Sequence, residues 1–393
     1  MTGSRKVLVA TLLGASIIAL GVGERALQGA TGGAAVEAPT FDVDPFWPQP
    51  LPNHWIMGSV IGVGVDARDH IFIVHRQQTL NARTEVGAEA TPPMGECCVA
   101  APPVLEFAPD GKLVNSWGGP GEGYTWPESN HGISIDSKDN VWIGGNGNGD
   151  SHILKFTHEG KLLLQIGVPG RGANSNSMDS FGRVAKISFD KAANEAYVSD
   201  GYANKRVAVL DMNTGAIKRY WGAYGNKPED TNPGPYNPDA PLAQQFRNPV
   251  HCAEPSNDGL VYVCDRPNDR IQVFQKDGKF VKEVRIAPRT LGDGSVWDIA
   301  FSRDAQQKYI YLADGRNEKV YVLDRQSLEI LTAFGDGGRQ PGQFFAVHSI
   351  ATDSKGNIYT TETYEGKRLQ KFTYKGLAPV TTKNRGVPWP ARR

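Results

Sequence analysis

From about residue 60 to residue 372 one pattern of apolar and polar positions recurs along the chain. A short alternating strand leads into a tight polar turn. An apolar strand follows and ends in small or acidic residues, and after a loop a further strand runs into an Asp-Gly-like turn. Aligned on the apolar triplet of the second strand, the units read Ile71-Phe72-Ile73, Val141-Trp142-Ile143, Ala196-Tyr197-Val198, Val261-Tyr262-Val263, Ile310-Tyr311-Leu312 and Ile358-Tyr359-Thr360. Third strands follow at 152–156, 206–210, 270–274, 319–323 and 368–372. Turns such as Pro109-Asp110-Gly111 and Lys276-Asp277-Gly278 lead on to fourth strands. Fourth strands end in an aromatic or aliphatic residue plus Gly, as in Trp117-Gly118, Ile166-Gly167, Trp221-Gly222 and Phe334-Gly335. Six such units without helical periodicity between them predict an all-β, six-bladed β-propeller of four-stranded antiparallel blades. A solenoid fits less well, because each unit supplies a whole meander rather than one strand per turn. The stretch between Phe41 and Val60 is expected to supply the strand that closes the ring with the last blade.

The ends of the chain divide differently. Arg5 and Lys6 precede an apolar run from Val7 to Val22 and a small-residue stretch from Gly29 to Ala35, the layout of a secretory signal. A single membrane anchor is the alternative, although Thr11, Gly14 and Ser16 interrupt the run. The expected organisation is therefore a signal peptide or N-terminal anchor over 1–36, a propeller over 37–380 and a tail over 381–393. A secreted or periplasmic location follows, with contact to a membrane only through that anchor. Lys plus Arg number 42 and Asp plus Glu 42, and a chain without surplus positive charge is not built to neutralise phosphates, so no nucleic-acid partner is expected. The 45 Gly and 26 Pro are spread evenly and serve turns rather than a low-complexity tract.

Candidate chemistry comes from the repeat itself. Ten residues before the triplet lie His131, His251 and His348, in the second, fourth and sixth units. The corresponding places elsewhere are Ile61, about Ala185 and about Trp297. First strands line a propeller's channel, so equivalent positions on alternate blades converge on the axis. Even allowing for freedom in choosing the position, chance gives such a set roughly twice in a thousand repeats of this kind. Three imidazoles at one point make a metal site with an open position, suited to Zn2+ or another first-row divalent ion. His54, His70, His75, His152 and His158 share no repeat position and are read as satisfied structural groups. Residues just past the second strand stand at the same edge of the blade: Arg76, Tyr202, Asp265 and Arg266. In a tight register Asp265 pairs across with His251 and Glu362 with His348, where a carboxylate can hold a ligand's tautomer. Asp265 can equally be a turn cap or one half of an ion pair, and Tyr202 a channel plug. The same register sets Cys252 opposite Cys264, a cross-strand disulfide. Cys97 and Cys98 adjoin within a long insertion, roughly Gln77 to Pro103, where two thiols, a metal contact or a redox pair are open. The insertion is read as a lid near the channel mouth.

The units are similar to NHL repeats, and the run from Asn130 to Phe372 resembles, blade by blade, the catalytic domain of the peptidyl-α-hydroxyglycine α-amidating lyase family. The most specific pieces are Ser199-Asp200-Gly201-Tyr202, Asn248-Pro249-Val250-His251 and the run from Cys264 to Arg270. The resemblance implies that His131, His251 and His348 hold zinc, that Tyr202 is the base on the substrate hydroxyl, and that Arg266 and Arg76 grip a substrate carboxylate. Structural Ca2+ is a further expected cofactor. The implied reaction cleaves an α-hydroxy amide to an amide and an aldehyde acid such as glyoxylate, on a small-molecule or peptide substrate. Two departures stand out. Ser349 follows the last histidine where the family has an acid, and Ala203 follows Tyr202, so the family's disulfides are not reproduced. No monooxygenase segment is present in this chain. The competing functions are a lactonase-like propeller hydrolase, whose sites use Glu, Asn and Asp around calcium, and a non-catalytic NHL binding scaffold.

Overall fold

The computed structural model describes residues 35–390. The segment read as a signal or anchor lies outside the described residues except for its last two positions. Six four-stranded antiparallel sheets follow one another. Blade 1 comprises Ser59–Val65, Ile71–Arg76, Val104–Phe107 and Leu113–Trp117; blade 2 comprises Asn130–Ile135, Val141–Gly145, His152–Phe156 and Leu162–Gly167. Blade 3 comprises Val184–Asp190, Glu195–Asp200, Arg206–Asp211 and Ile217–Trp221, and blade 4 Val250–Pro255, Leu260–Asp265, Arg270–Gln275 and Phe280–Arg285. Blade 5 comprises Asp298–Phe301, Tyr309–Asp314, Lys319–Asp324 and Ile330–Phe334. Blade 6 has Val347–Thr352, Ile358–Glu362 and Arg368–Pro379, and Glu37–Asp44, from the other end of the chain, takes its outermost place.

That closing strand pairs from Asp44 opposite Lys371 to Glu37 opposite Pro379. It therefore begins earlier than the 41–60 stretch the pattern suggested, and only residues 41–44 belong to both. The reason is local. Ala38, Phe41 and Val43 are buried in blade 6, whereas Pro48, Pro50 and Pro52 lack the N–H that a ladder needs.

Each blade is covered on both faces, so the second-strand triplets are buried consecutively rather than alternately. Phe72 and Val74 of blade 1 pack with Ile133, Val141, Ile143, Leu154 and Phe156 of blade 2, and comparable clusters fill the other gaps between blades. Two polar devices repeat. In the turn between first and second strands an acid accepts backbone N–H groups: Asp66 from Arg68 and His70, Asp136 from Lys138 and Asn140, Asp353 from Lys355 and Asn357. At the other end of the strands, a carboxylate ending the second strand pairs with an arginine opening the third. These pairs are Asp200–Arg206, Asp265–Arg270 and Glu362–Arg368, each at 2.7 Å.

On the innermost strand the register slips by one residue, between Val60 and Gly62, His131 and Ile133, Val184 and Lys186, Val250 and Cys252, and Val347 and Ile350. A β-bulge leaves one residue outside the ladder and re-aims its neighbour. Here it turns the residues around positions 61, 131, 185, 251 and 348 toward the axis. The insertion after Arg76 packs back on the ring through Lys367, whose Nζ lies 2.7 Å from Glu85. Val99–Ala100 of the insertion pairs in parallel with Trp55–Ile56. Cys97 and Cys98 are joined as a disulfide. Arg385 and Gly386 of the C-terminal tail bond the backbone at Ala333 and Gly335 of blade 5. Among the described residues no helix is long and apolar enough to cross a membrane.

Candidate metal centre

The three histidines, each at or beside a register slip, meet on the axis. Ring centroids of His131, His251 and His348 lie 4.9–5.2 Å apart, and one nitrogen from each falls within 4.8 Å of the others. The opposite ring nitrogen of each is held by the intervening blade. His131 Nδ1 bonds the carbonyl of Ala185 and His348 Nδ1 that of Ile61, both at 2.7 Å, and His251 Nδ1 bonds the carbonyl of Trp297. Non-ligand blades thus supply the orienting groups. A carbonyl can only accept, so each Nδ1 carries its proton and each Nε2 presents a lone pair. Burial, with Arg266 and Arg76 among the nearby positive charges, holds all three imidazoles well below their ordinary pKa and therefore neutral.

The Tyr202 hydroxyl lies 2.9 Å from His131 Nε2 and 3.0 Å from His251 Nε2. One hydroxyl proton cannot satisfy both. Three converging lone pairs with a single proton between them form a donor set short of positive charge, and this is the fit that a divalent ion with three imidazole ligands requires. Three nitrogens suit zinc or another first-row ion. Calcium takes oxygen ligands, which three imidazoles do not offer.

Asp265 and Glu362 do not reach the histidines, which corrects the expectation that they hold the ligand tautomers. The bulge places Asp265 opposite Val250 and Glu362 opposite Val347. Asp265 accepts from Arg270 and Asn268, each at 2.7 Å, and from the backbone N–H of Arg247. Glu362 accepts from Arg368 and Gln370, and burial pushes its carboxyl up to about 7. Cys252 does face Cys264 in register, and the two are joined as a disulfide with Cα atoms 4.8 Å apart.

Arg266 stands on the open side. Its Nη1 lies 3.4 Å from the Tyr202 hydroxyl, its guanidinium stacks 4.5 Å over the Trp297 ring, and its Nη2 is 3.5 Å from Asp293. Asp293 in turn is 3.4 Å from the Tyr364 hydroxyl. Arg76 is nearby but engaged: it donates to the carbonyl of Asn130, the residue before His131, and to Asn146 Oδ1. Sequence reasoning missed Asp293, which follows no repeat offset, and Tyr364, which stands at the same offset from its triplet as Tyr202 does. The place of Trp297 in the repeat was visible, but its stacking role was not.

Below the histidines the axis is closed. Lys186, next to Ala185, donates to Asp298 at 2.7 Å and lies 2.8 Å from Glu254. The second oxygen of Asp298 accepts from Ser349 Oγ at 2.7 Å. These carboxylates hold the Lys186 ammonium above its ordinary pKa against burial. Space among Ile61, Ala185, Asp298 and the three histidines is about 10 Å³, room for about one water.

No protein-family model matches the chain. It is 24% identical to NHL repeat-containing protein 3 of Mus musculus, over 86% of this chain and 85% of that protein. It is also 24% identical to the peptidylglycine alpha-amidating monooxygenase of Rattus norvegicus, over 80% of this chain but 30% of that protein. A third relative, peptidyl-glycine alpha-amidating monooxygenase A of Xenopus laevis, is 29% identical over 65% of this chain and 26% of its own length. The chain is a six-bladed propeller of NHL-repeat type. It spans less than a third of the amidating monooxygenases it matches, and this NHL-type propeller carries a buried three-histidine group that could hold a metal ion.

Proposed function

We propose that this NHL-type propeller is an exported, metal-dependent lyase that cleaves an α-hydroxy amide into an amide and an aldehyde acid such as glyoxylate. The observation that carries the reading is the trio of Nε2 lone pairs with the Tyr202 hydroxyl between two of them. A divalent ion held by His131, His251 and His348 would supply Lewis acidity toward the substrate hydroxyl. Arg266 would take the substrate carboxylate through its fork, with Asp293 giving way as its partner. As the C–N bond breaks and the C=O bond forms, Tyr202 Oη would take the proton of the substrate hydroxyl while giving its own proton to the departing amide nitrogen, so the tyrosine ends the step with one proton, as it began. Arg76 would act through Asn130, keeping the strand that bears His131 in place.

Similarity to amidating monooxygenases supports the substrate class, and the oxidising compartment that two disulfides require supports export. A non-catalytic NHL scaffold is the second reading. It is favoured by the mouse relative that covers most of both chains and is named for the repeat alone.

Incubation of the zinc-loaded chain with an α-hydroxyglycine amide, followed by assay for glyoxylate, separates the two. The lyase reading expects release that falls about a hundredfold or more in Tyr202→Phe while that variant keeps its zinc. Bound zinc without glyoxylate would discard this substrate, and an unchanged rate in Tyr202→Phe would remove the tyrosine from the reaction.

A further inference from the structure

We propose that the face of the propeller opposite the histidine centre carries a second divalent-cation site, formed by Asp66, Glu106 and His158 with His70 beside them. The argument starts from a break in the repeat. The third-strand residue facing the middle of the apolar triplet is Lys155 in blade 2, opposite Trp142, and Lys371 in blade 6, opposite Tyr359. In blade 1 the residue facing Phe72 is Glu106. Lys155 lies 3.6 Å from its turn acid, Asp136. Blades 3, 4 and 5 carry Val209, Val273 and Val322 at this place, so an acid here is particular to blade 1, where the turn acid is Asp66 and two carboxylates share one place. Their side chains are 0% and 3% exposed.

The surroundings compensate for that charge. His70 Nδ1 lies 2.6 Å from Glu106 Oε1, and His158 Nε2, from the last turn of blade 2, lies 2.9 Å from Glu106 Oε2. The His158 ring stands edge-on to Phe72 at 5.1 Å, which fixes its reach across the gap between blades. Ligand atoms of Asp66, Glu106 and His158 lie within 4.8 Å of one another. Among them sits one Nη2 of Arg68, 2.8 Å from Asp66 Oδ2, 3.9 Å from Glu106 Oε1 and 3.1 Å from His158 Nδ1.

A cation is therefore already wanted at this point, and Arg68 fills it, donating to Asp66 from Nε at 3.0 Å and from Nη2 at 2.8 Å. The Arg68 side chain is 51% exposed while Asp66 is buried, so the guanidinium can swing into solvent when a divalent ion takes its place, and removing Arg68 removes that competitor. Two carboxylates and an imidazole match zinc or another first-row divalent ion, with His70 or water as fourth ligand. Binding needs His158 Nε2 without its proton. The ring meets this by carrying the proton on Nδ1, the atom that Arg68 leaves.

Zinc uptake at equilibrium tests the proposal on the full chain, on His251→Ala, on His158→Ala and on Arg68→Ala. We expect one zinc equivalent that His158→Ala loses and His251→Ala keeps, bound roughly fivefold tighter in Arg68→Ala. A gain of affinity cannot come from misfolding. If the axial histidines hold no ion, the wild type binds this single equivalent alone, so the two sites fail separately. Equal uptake by His158→Ala and wild type, with unchanged affinity in Arg68→Ala, would overturn the second site.

Discussion

At the scale of single side chains, what matters is which ring nitrogen keeps its proton and what burial does to the charged form. His75 makes the point away from the axis. Its Nδ1 accepts from the Gly58 N–H at 3.1 Å, and its Nε2–H donates to the Pro102 carbonyl at 3.0 Å, tying the insertion to blade 1. Burial pushes its pKa down to about 4. As pH falls through about 6.5 the unfolded chain takes up this proton and the folded one does not, so stability is lost between about 6.5 and 4. Asp269 and Glu362, pushed up to about 7 by burial, act with the opposite sign over much of that range. The prediction is therefore a difference. The stability gap between wild type and His75→Gln, read by urea titration, should shrink by up to about 1.4 kcal/mol per pH unit from pH 6.5 down to 4. A gap independent of pH would mean that His75 is not buried neutral. Side chains of this kind were only partly legible in the sequence. Position in the repeat picked out His131, His251 and His348. Asp265 and Glu362 were misread as their partners, because one bulged residue shifts the ladder and hands both acids to arginines.

At the scale of elements, the bulged inner strand does most of the work. In five blades a register slip on this strand sets a residue toward the axis, and in blade 5 Trp297, just before the first strand, takes that place, so alternate blades give imidazoles and the blades between them give acceptors. The apolar triplets fell on second strands in all six blades, since covering both faces makes those strands continuously apolar. The closing strand was harder to place, because a single outer strand carries no repeat to align. Its hold on the ring rests on Phe41, whose ring contacts Tyr311, Phe334 and Tyr374 at centroid distances of 5.4–5.9 Å. Phe41→Ala should cost about 3–5 kcal/mol in denaturant unfolding. It should also open the ring first, so that amides of the Arg368–Pro379 strand exchange before those of blade 3. A loss under about 1 kcal/mol would mean that this strand does not hold the ring shut.

At the scale of the whole molecule, the propeller brings together groups that lie far apart in the chain. Lys186 of blade 3, Asp298 of blade 5 and Ser349 of blade 6 form one buried bridge under the centre, and each adjoins a residue that holds or is a histidine ligand. Nothing in the repeat offsets announces that bridge, nor the Arg266–Asp293 pair, because only closure of the ring creates them. Architecture and the axial histidines were readable from periodicity; the plug and the mouth were not. The central claim is that three alternate blades hold one ion on the axis. An anomalous difference map from crystals grown with zinc tests it directly. A peak should lie about 2.0–2.1 Å from Nε2 of His131, His251 and His348, with the Tyr202 hydroxyl moved off at least one of those nitrogens. An axis without a peak, with Tyr202 still bonded to both His131 and His251, would contradict the account.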